Sequence, residues 1–194
     1  MSAGDVRSQV WTALMTAQVA TFPYPPFGHH PNFRGASEAA TVLLEHLLPD
    51  HLSPGQSALC YPDYVLKPVR KGLLEAGINV IVPDKYGKGY RYLVAGQVKA
   101  SRGSSISGAQ KEGAQLMTLP NLDFVFSACV ALAADGRSLS KGYGFSVDKE
   151  PVDKSVDKLP RATLVHPLQI VELGDYDARV NLYATPEGVV IPQQ

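Results

Sequence analysis

The sequence predicts an α/β protein with one domain, residues 1–194, built as a sandwich around a largely parallel sheet. Three observations support this prediction. Short apolar runs typical of buried strands occur at residues 57–61, 78–82 and 122–126. A segment with helical spacing separates the first two runs, and strands that alternate with helices form parallel sheets covered on both faces. The length, with 45% hydrophobic residues, suits one full core.

Three segments have the apolar spacing of amphipathic helices. They are residues 5–20, 38–48 and 65–76. The prolines at positions 23, 25 and 26 end the first helix, because proline lacks the amide hydrogen that a helix needs. Ser37 is the predicted N-cap of the second helix, and Gly77 is the predicted C-terminal cap of the third.

Further strands are predicted in the second half of the chain. With the runs above, the predicted strands are residues 57–61, 78–82, 90–95, 122–126, 162–165 (continuing to 171) and 180–184. Residues 96–113 are small, polar and rich in glycine, which predicts a long mobile loop.

Composition and charge narrow the class of partner. The chain has 18 Lys and Arg and 18 Asp and Glu, so its formal net charge is zero. No long-range field would hold it on nucleic acid or on an anionic membrane. No apolar stretch approaches the ~20 residues of a membrane span, and no secretory leader is recognisable, so we expect a cytoplasmic protein. Cys60 and Cys129 lie in apolar runs and are predicted to be buried free thiols.

The glycine-rich segment at residues 136–145 is the strongest candidate binding site. Gly142 and Gly144 would let backbone amides approach a ligand, and Arg137 and Lys141 add positive charge beside them. Ligands of open α/β sheets bind at the carboxyl ends of the strands, where this loop would follow the preceding strand. These features predict a phosphate site. The alternative is a tight turn whose glycines only satisfy positive φ angles.

Two further positions are candidates for binding charged groups. Arg34 and Gly35 precede a predicted helix, where free amides and the helix dipole attract an anion; the alternative is a surface arginine beside a cap. Asp148 is the first carboxylate after the glycine loop and could bind a Mg²⁺ carried by nucleotide phosphates. The five histidines have no convincing metal-ligand spacing.

Several motifs in order carry a resemblance to a known family. They are residues 31–36 (Pro-Asn-Phe-Arg-Gly-Ala), 69–70, 122–123, 136, 141–145 (Lys-Gly-Tyr-Gly-Phe) and 176–189. Together they resemble the 5-formyltetrahydrofolate cyclo-ligase family over nearly the whole chain, and within it a divergent, cyclo-ligase-like branch. The resemblance implies an α/β sandwich similar to that of the ribose-phosphate isomerases and CoA transferases.

The resemblance also implies a reaction. Members of the family use MgATP to close 5-formyltetrahydrofolate into 5,10-methenyltetrahydrofolate. The formyl oxygen is phosphorylated, the neighbouring nitrogen attacks, and phosphate departs. Such chemistry depends mostly on positioning and charge neutralisation, which suits a loop that carries lysine and glycine.

Roles for individual residues follow from the resemblance and from the charges described above. The expected ATP-binding residues are Arg7, Arg34, Lys141, Gly142 and Gly144. The expected folate-contacting residues are Glu38, Tyr143 and Phe145. Asp148 is the expected Mg²⁺ ligand, and Lys141 and Arg137 are the expected catalytic cations.

Three functional hypotheses remain open from the sequence. The first is an ATP-dependent ligase that acts on a reduced folate. The second is a protein that keeps the pocket without turnover, because the first lysine is Lys67, far from the N-terminal lysine that active members carry, and the second aromatic residue of the loop is missing. The third is an enzyme of the same fold acting on another phosphorylated metabolite, including a thiamine-related one. A nucleic-acid partner is not expected.

Overall fold

The computed structural model describes residues 1–84, 88–143 and 154–193. Five α-helices lie within these residues: α1 (Ala3–Thr16), α2 (Ala36–Leu47), α3 (Lys67–Glu75), α4 (Ala100–Gly103) and α5 (Ile106–Glu112). Shorter 3-10 turns occupy Tyr64–Leu66, Lys154–Lys158 and Pro167–Gln169. The three predicted amphipathic helices are confirmed as α1, α2 and α3. None of the described helices combines the length and apolar character needed to cross a bilayer.

The strands within the described residues form three sheets. They are β1 (Ala20–Thr21), β2 (Asn32–Phe33), β3 (Ser57–Cys60), β4 (Asn79–Pro83), β5 (Tyr90–Leu93), β6 (Ala114–Leu116), β7 (Phe124–Phe126), β8 (Ala131–Leu132), β9 (Arg137–Leu139), β10 (Arg161–Leu164), β11 (Ala178–Arg179), β12 (Leu182–Thr185) and β13 (Gly188–Val190). The large sheet has the order β13-β12-β10-β7-β3-β4-β5-β6. Its five central strands run parallel, and β13, β5 and β6 pair antiparallel at the edges. The predicted α/β class with a largely parallel sheet is confirmed.

Both faces of the large sheet are covered, as the alternation of side chains along β12 shows. Leu182 and Ala184 belong to the main core cluster with α2 and α3. Tyr183, between them, packs instead with Leu132 and Val180 beside the small sheet β11-β9-β8. Because successive strand residues point to opposite faces, helices α2 and α3 lie on one side and the small sheet on the other. Helix α1 packs onto the small sheet from outside.

The prediction of a long mobile loop at residues 96–113 is wrong, because this segment contains α4 and α5. The Ser105 side chain accepts a hydrogen bond from the Gly108 amide and so caps α5. Gly103 packs so closely against Val98 and Leu74 that a Cβ there would lie 2.8 Å from the Val98 side chain. Packing of α4 on α3, and of α5 on α4 and β5, therefore stabilises two short helices whose sequence lacks apolar periodicity.

Two predictions of local structure around the candidate sites are also corrected. Helix α2 begins at Ala36 with Gly35 as its N-cap at φ 99°, so Ser37 lies in the first turn and is not the cap. The strand predicted at residues 122–126, observed as β7, does not lead directly into the glycine loop. Strand β8 intervenes, and residues 137–139 of the predicted loop are themselves strand β9, which pairs antiparallel with β8.

Candidate functional site

The part of the predicted glycine segment that follows β9 and is described, residues 140–143, lies at the carboxyl end of the central strands and is called the glycine loop below. The Lys141 amide donates to Nε2 of His30 at 3.2 Å, and Nδ1 of His30 lies 2.8 Å from the Asp63 carboxylate. Asp63 comes three residues after the end of β3. The loop is therefore held at the sheet edge where ligands of open α/β folds bind, although it reaches that edge from β9.

The His30–Asp63 pair is buried beneath the loop. The exposed fractions of the two side chains are 1% and 11%. Nε2 of His30 accepts from the Lys141 amide, and Nδ1 faces the Asp63 carboxylate. Burial opposes ionisation of Asp63, but the neighbouring His30, followed by Lys141 and Arg70, lowers the pKa of this carboxyl below its ordinary value of 3.8. Asp63 is therefore a carboxylate at neutral pH.

Arg7 of α1 lies against the other side of the loop. Its Nε donates to the Ser140 carbonyl at 2.6 Å, and its Nη2 lies 3.9 Å from the Asp177 carboxylate. Asp177 in turn accepts hydrogen bonds from the Ser140 amide and hydroxyl, each at 2.5 Å. Gly142 has φ 86°, and a Cβ there would lie 3.0 Å from the Arg7 guanidinium. Glycine is therefore required here both by backbone conformation and by the close approach of Arg7.

The backbone amides at the start of the loop already have partners within the protein. The Ser140 amide donates to Asp177, the Lys141 amide to His30, and the Gly142 amide to the Ser140 hydroxyl at 3.3 Å. What these residues present to an anion is therefore the positive charge of Arg7 and Lys141 rather than free amides. The structure brings together the predicted residues Arg7, Lys141 and Gly142.

Tyr143 and Arg137 have different surroundings. The exposed Tyr143 donates its hydroxyl proton to the Gly28 carbonyl, and Nζ of Lys141 lies 5.5 Å from the centroid of its ring. Arg137 lies in β9, where its Nε donates to the Asp135 carboxylate at 2.8 Å and its Nη1 to the Leu173 carbonyl at 2.7 Å. These contacts tie β9 to the turn before it and to the segment that leads to β11. The structure does not bring Arg137 into the cluster of Arg7 and Lys141.

A second group of predicted residues lines a pocket of about 540 Å³ at the start of α2, here called the Arg34 pocket. It contains Arg34, Glu38 and Lys67, with Tyr64 on its wall. The rings of Phe22 and Tyr64 meet edge to face, with centroids 4.7 Å apart. The pocket thus combines two cations, one carboxylate and an aromatic surface, a mixture suited to a flat, polar ligand.

Three predicted residues, Gly144, Phe145 and Asp148, lie outside the described residues. Within the described ranges, no group of three His, Cys, Asp or Glu side chains is arranged to hold a metal ion. His166, at the carboxyl end of β10, accepts a hydrogen bond from the Leu168 amide through Nδ1. Burial lowers the pKa of His166, so its ring is neutral near pH 7.

Sequence reasoning missed the residues that support the loop from below and behind. His30, Asp63 and Asp177 are far from the loop in the chain, and the contact between His30 and Asp63 spans 33 positions. Lys67 was noted only as the first lysine in the sequence. The one available signal was the pair of adjacent histidines in the proline-rich segment, and that pair did not show which of the two points inward.

Comparisons with known proteins connect this fold and site to one class. No protein-family model matches the chain. The methenyltetrahydrofolate synthase domain-containing protein of Mus musculus is 25% identical over 210 residues, covering 98% of this chain and 55% of the relative. The Bos taurus protein of the same name is 26% identical over 208 residues, covering 98% of the chain and 54% of the relative. The chain therefore spans about half the length of these relatives.

Among solved structures, the chain is similar to the NMR structure of Aquifex aeolicus 5,10-methenyltetrahydrofolate synthetase. The TM-score is 0.58 at 15% identity, over 100% of this chain and 94% of that one. The fold is therefore of the methenyltetrahydrofolate synthetase type. Together with the curated relatives, it confirms the resemblance seen in the motifs: the chain is a divergent cyclo-ligase-like protein.

Proposed function

We propose that the chain binds ATP with Mg²⁺ and a reduced folate, and that it converts 5-formyltetrahydrofolate into 5,10-methenyltetrahydrofolate. The observation that carries the proposal is the placement of Arg7 and Lys141 around Gly142 at the carboxyl edge of the sheet. Family members carry a basic residue on the first helix, and α1 contributes Arg7 at that place. The relatives in mouse and cattle and the Aquifex fold support the same reaction class.

The side chains present suit a nucleotide triphosphate. Arg7 has a guanidinium held by Ser140 and Asp177, and Lys141 is partly exposed at the same loop, so one fixed and one partly exposed cation can bind phosphate oxygens. When bound, MgATP would supply the phosphoryl group that activates the formyl oxygen. Lys141 and Arg7 would stabilise the negative charge during transfer, since phosphoryl transfer is catalysed mainly by positioning and charge.

The Arg34 pocket is the proposed place of the folate. Glu38 and Arg34 can donate and accept hydrogen bonds at a polar ring, and Tyr64 offers an aromatic wall. Tyr143, Phe145 and Gly144 complete the proposed ligand contacts, and Asp148 is the proposed Mg²⁺ ligand. The finer likeness to the ribose-phosphate isomerase and CoA transferase fold, and the cytoplasmic location, belong to the same proposal.

The direct test mixes the protein, MgATP and 5-formyltetrahydrofolate and follows the absorbance of the methenyl product. The Lys141→Ala variant should lose nucleotide affinity by about tenfold, because one charge-assisted contact is removed, and its melting temperature should be unchanged. Lys71→Ala is the matched control, since Lys71 pairs with Glu75 on the exposed side of α3.

The outcomes separate turnover from binding. An absence of product at high enzyme concentration rejects cyclo-ligase activity. If ATP or 5-formyltetrahydrofolate then still raises the melting temperature, the chain is a binding protein without turnover, because a ligand that binds only the native state stabilises it. Equal nucleotide affinity in the Lys141→Ala and wild-type proteins removes Lys141 from the site.

A further inference from the structure

A second recess lies next to the Arg34 pocket, on the far side of Tyr64 and Lys67, which line both. It has a volume of about 550 Å³, within the usual range for small-molecule sites, and is here called the Arg70 pocket. Its described lining residues are Pro62, Tyr64, Lys67, Arg70, Ser105, Ile106, Ser107 and Gln110. This lining includes two cations and several polar groups but no carboxylate.

Arg70 is the fixed cation of this pocket. Its residue is 1% exposed, and its Nε donates to the Ser104 carbonyl at 2.8 Å. Its Nη1 donates to the carbonyls of Tyr61 and Asp63 at 2.7 and 3.0 Å. These bonds hold the guanidinium in one orientation at the wall of the pocket. A guanidinium whose position is already fixed binds an oxyanion with little loss of side-chain entropy.

Two acidic groups, Cys60 and Asp63, lie near the charge of Arg70. The Cys60 thiol lies beside the guanidinium, but burial raises its pKa to about 11, so it is neutral at pH 7. The Asp63 carboxylate is hydrogen-bonded to His30; the charge of Arg70 helps to lower its pKa, but Asp63 does not line the pocket. The pocket is therefore electropositive, with the exposed Lys67 adding a second charge at its wall.

Helix α5 completes the pocket with groups that can donate hydrogen bonds. Ser107 and Gln110 line it from α5, and the Ser105 hydroxyl donates to the Arg102 carbonyl, which fixes the start of the helix. A purely structural role for Arg70, joining residues 61–63 to Ser104, explains its three carbonyl contacts. It does not explain a recess with a second cation and two neutral donors around it.

We propose that the Arg70 pocket binds an oxyanion group, a carboxylate or a phosphate, of a small molecule. Arg70 and Lys67 supply charge, and Ser107 and Gln110 supply neutral donors. This site is distinct from the loop around Gly142 and does not depend on cyclo-ligase turnover. Because Tyr64 and Lys67 form a shared wall, a single ligand can place its anionic end here and its other end in the Arg34 pocket.

The test titrates inorganic phosphate into the ¹⁵N-labelled full chain and follows the backbone amide resonances. We expect shifts at Ser107 and its neighbours that persist in a Lys141→Ala background, which removes the lysine charge from the glycine loop. Ser107→Glu places a negative charge in the pocket and should weaken phosphate binding there by about tenfold or more. Because a variant can lose binding through misfolding, the amide spectrum of each variant must first match that of the wild-type protein.

Matched lysine variants provide the second comparison. Lys67→Ala should weaken phosphate binding several-fold, whereas Lys71→Ala, on the same helix and with the same change in charge, should leave it unchanged. Phosphate shifts confined to residues near Gly142, or equal affinity in the Ser107→Glu and wild-type proteins, would overturn the proposal.

The source of the anion is separated by two further titrations of the Ser107→Glu variant. If its affinity for 5-formyltetrahydrofolate falls while its affinity for the analogue without the glutamate group is unchanged, the anion is the carboxylate tail of the folate. If only phosphate binding falls, the anion is a separate phosphorylated metabolite. Either result supports the pocket, and neither requires catalytic turnover, so failure of the proposed function would be seen independently.

Discussion

Replacing His30 with alanine tests whether the buried pair beneath the glycine loop stabilises the protein. The His30→Ala variant loses the 2.8 Å contact to Asp63 and the acceptor for the Lys141 amide at 3.2 Å. A hydrogen bond to a charged group contributes about 1.5–3 kcal/mol, and breaking a buried pair costs about 3–5 kcal/mol when the remaining charge has no partner. With Asp63 only 11% exposed, we expect the free energy of unfolding to fall by about 3 kcal/mol.

The loss should depend on pH in a defined direction. The folded pKa of Asp63 lies below its ordinary value of 3.8, so its contribution to stability is present above about pH 4 and is lost as the pH falls through the folded pKa. In His30→Ala the main group that lowers this pKa is gone, so only Lys141 and Arg70 oppose the effect of burial and the pKa of Asp63 rises relative to the wild-type protein. The difference in stability between the two proteins should therefore be largest near pH 7 and shrink as the pH falls towards 4 and below.

Urea unfolding at pH 7 and at pH 4, followed by circular dichroism, measures both effects. His29→Ala is the matched control, because His29 is exposed and its hydrogen bonds to other described residues use the backbone alone: its amide donates to the Pro26 carbonyl and its carbonyl accepts from the Trp11 indole. If His30→Ala and His29→Ala unfold at the same urea concentration at pH 7, the pair does not stabilise the fold. A difference that grows on acidification would refute the assignment of Asp63 as the ionised partner.

Two other predictions follow from buried and strained positions. Gly142→Ala should destabilise the protein by about 2 kcal/mol in urea unfolding, whereas Gly55→Ala, also at positive φ but with open space around it, should cost about 1 kcal/mol. Equal losses would show that the approach of Arg7 to Gly142 adds nothing. Burial raises the pKa of Cys60 to about 11 and that of Cys129 to about 12, so neither thiol should react with a disulfide reagent at pH 8 until urea unfolds the chain. Rapid labelling of the native protein would contradict their burial.

Much of the sheet could be predicted from the sequence because its central strands are apolar on both faces. The strands predicted at residues 57–61 and 78–82 are observed as β3 and β4, side by side and parallel. Helices α4 and α5 could not be predicted in the same way. Ala109 is the buried apolar residue of α5, and Gly103 is the buried residue of α4. With so few buried apolar positions, neither helix shows the apolar spacing by which a helix is recognised in a sequence.

The sequence predicted the site residues that are adjacent in the chain, but not those that only the folded structure brings together. Lys141 and Gly142 form a local pattern that singled out the loop. Two partners fix this loop. His30 comes from the segment before β2, and Asp63 comes from the turn after β3. Their pairing depends on tertiary structure, and no spacing rule connects them. Arg137 shows the opposite case, since a cation next to the loop in sequence is paired elsewhere by the small sheet.

The contact between Arg7 and the Ser140 carbonyl joins positions 133 residues apart, and Asp177 adds a third segment from near the end of the described chain. Closing such long loops is entropically costly, and contacts of large sequence separation form slowly. The cationic loop therefore cannot exist in a chain that has folded only in part. On a ribosome, competence to bind an anion there would require that Asp177 has emerged, so ligand binding at this loop would report that the segments of Arg7, Ser140 and Asp177 have assembled.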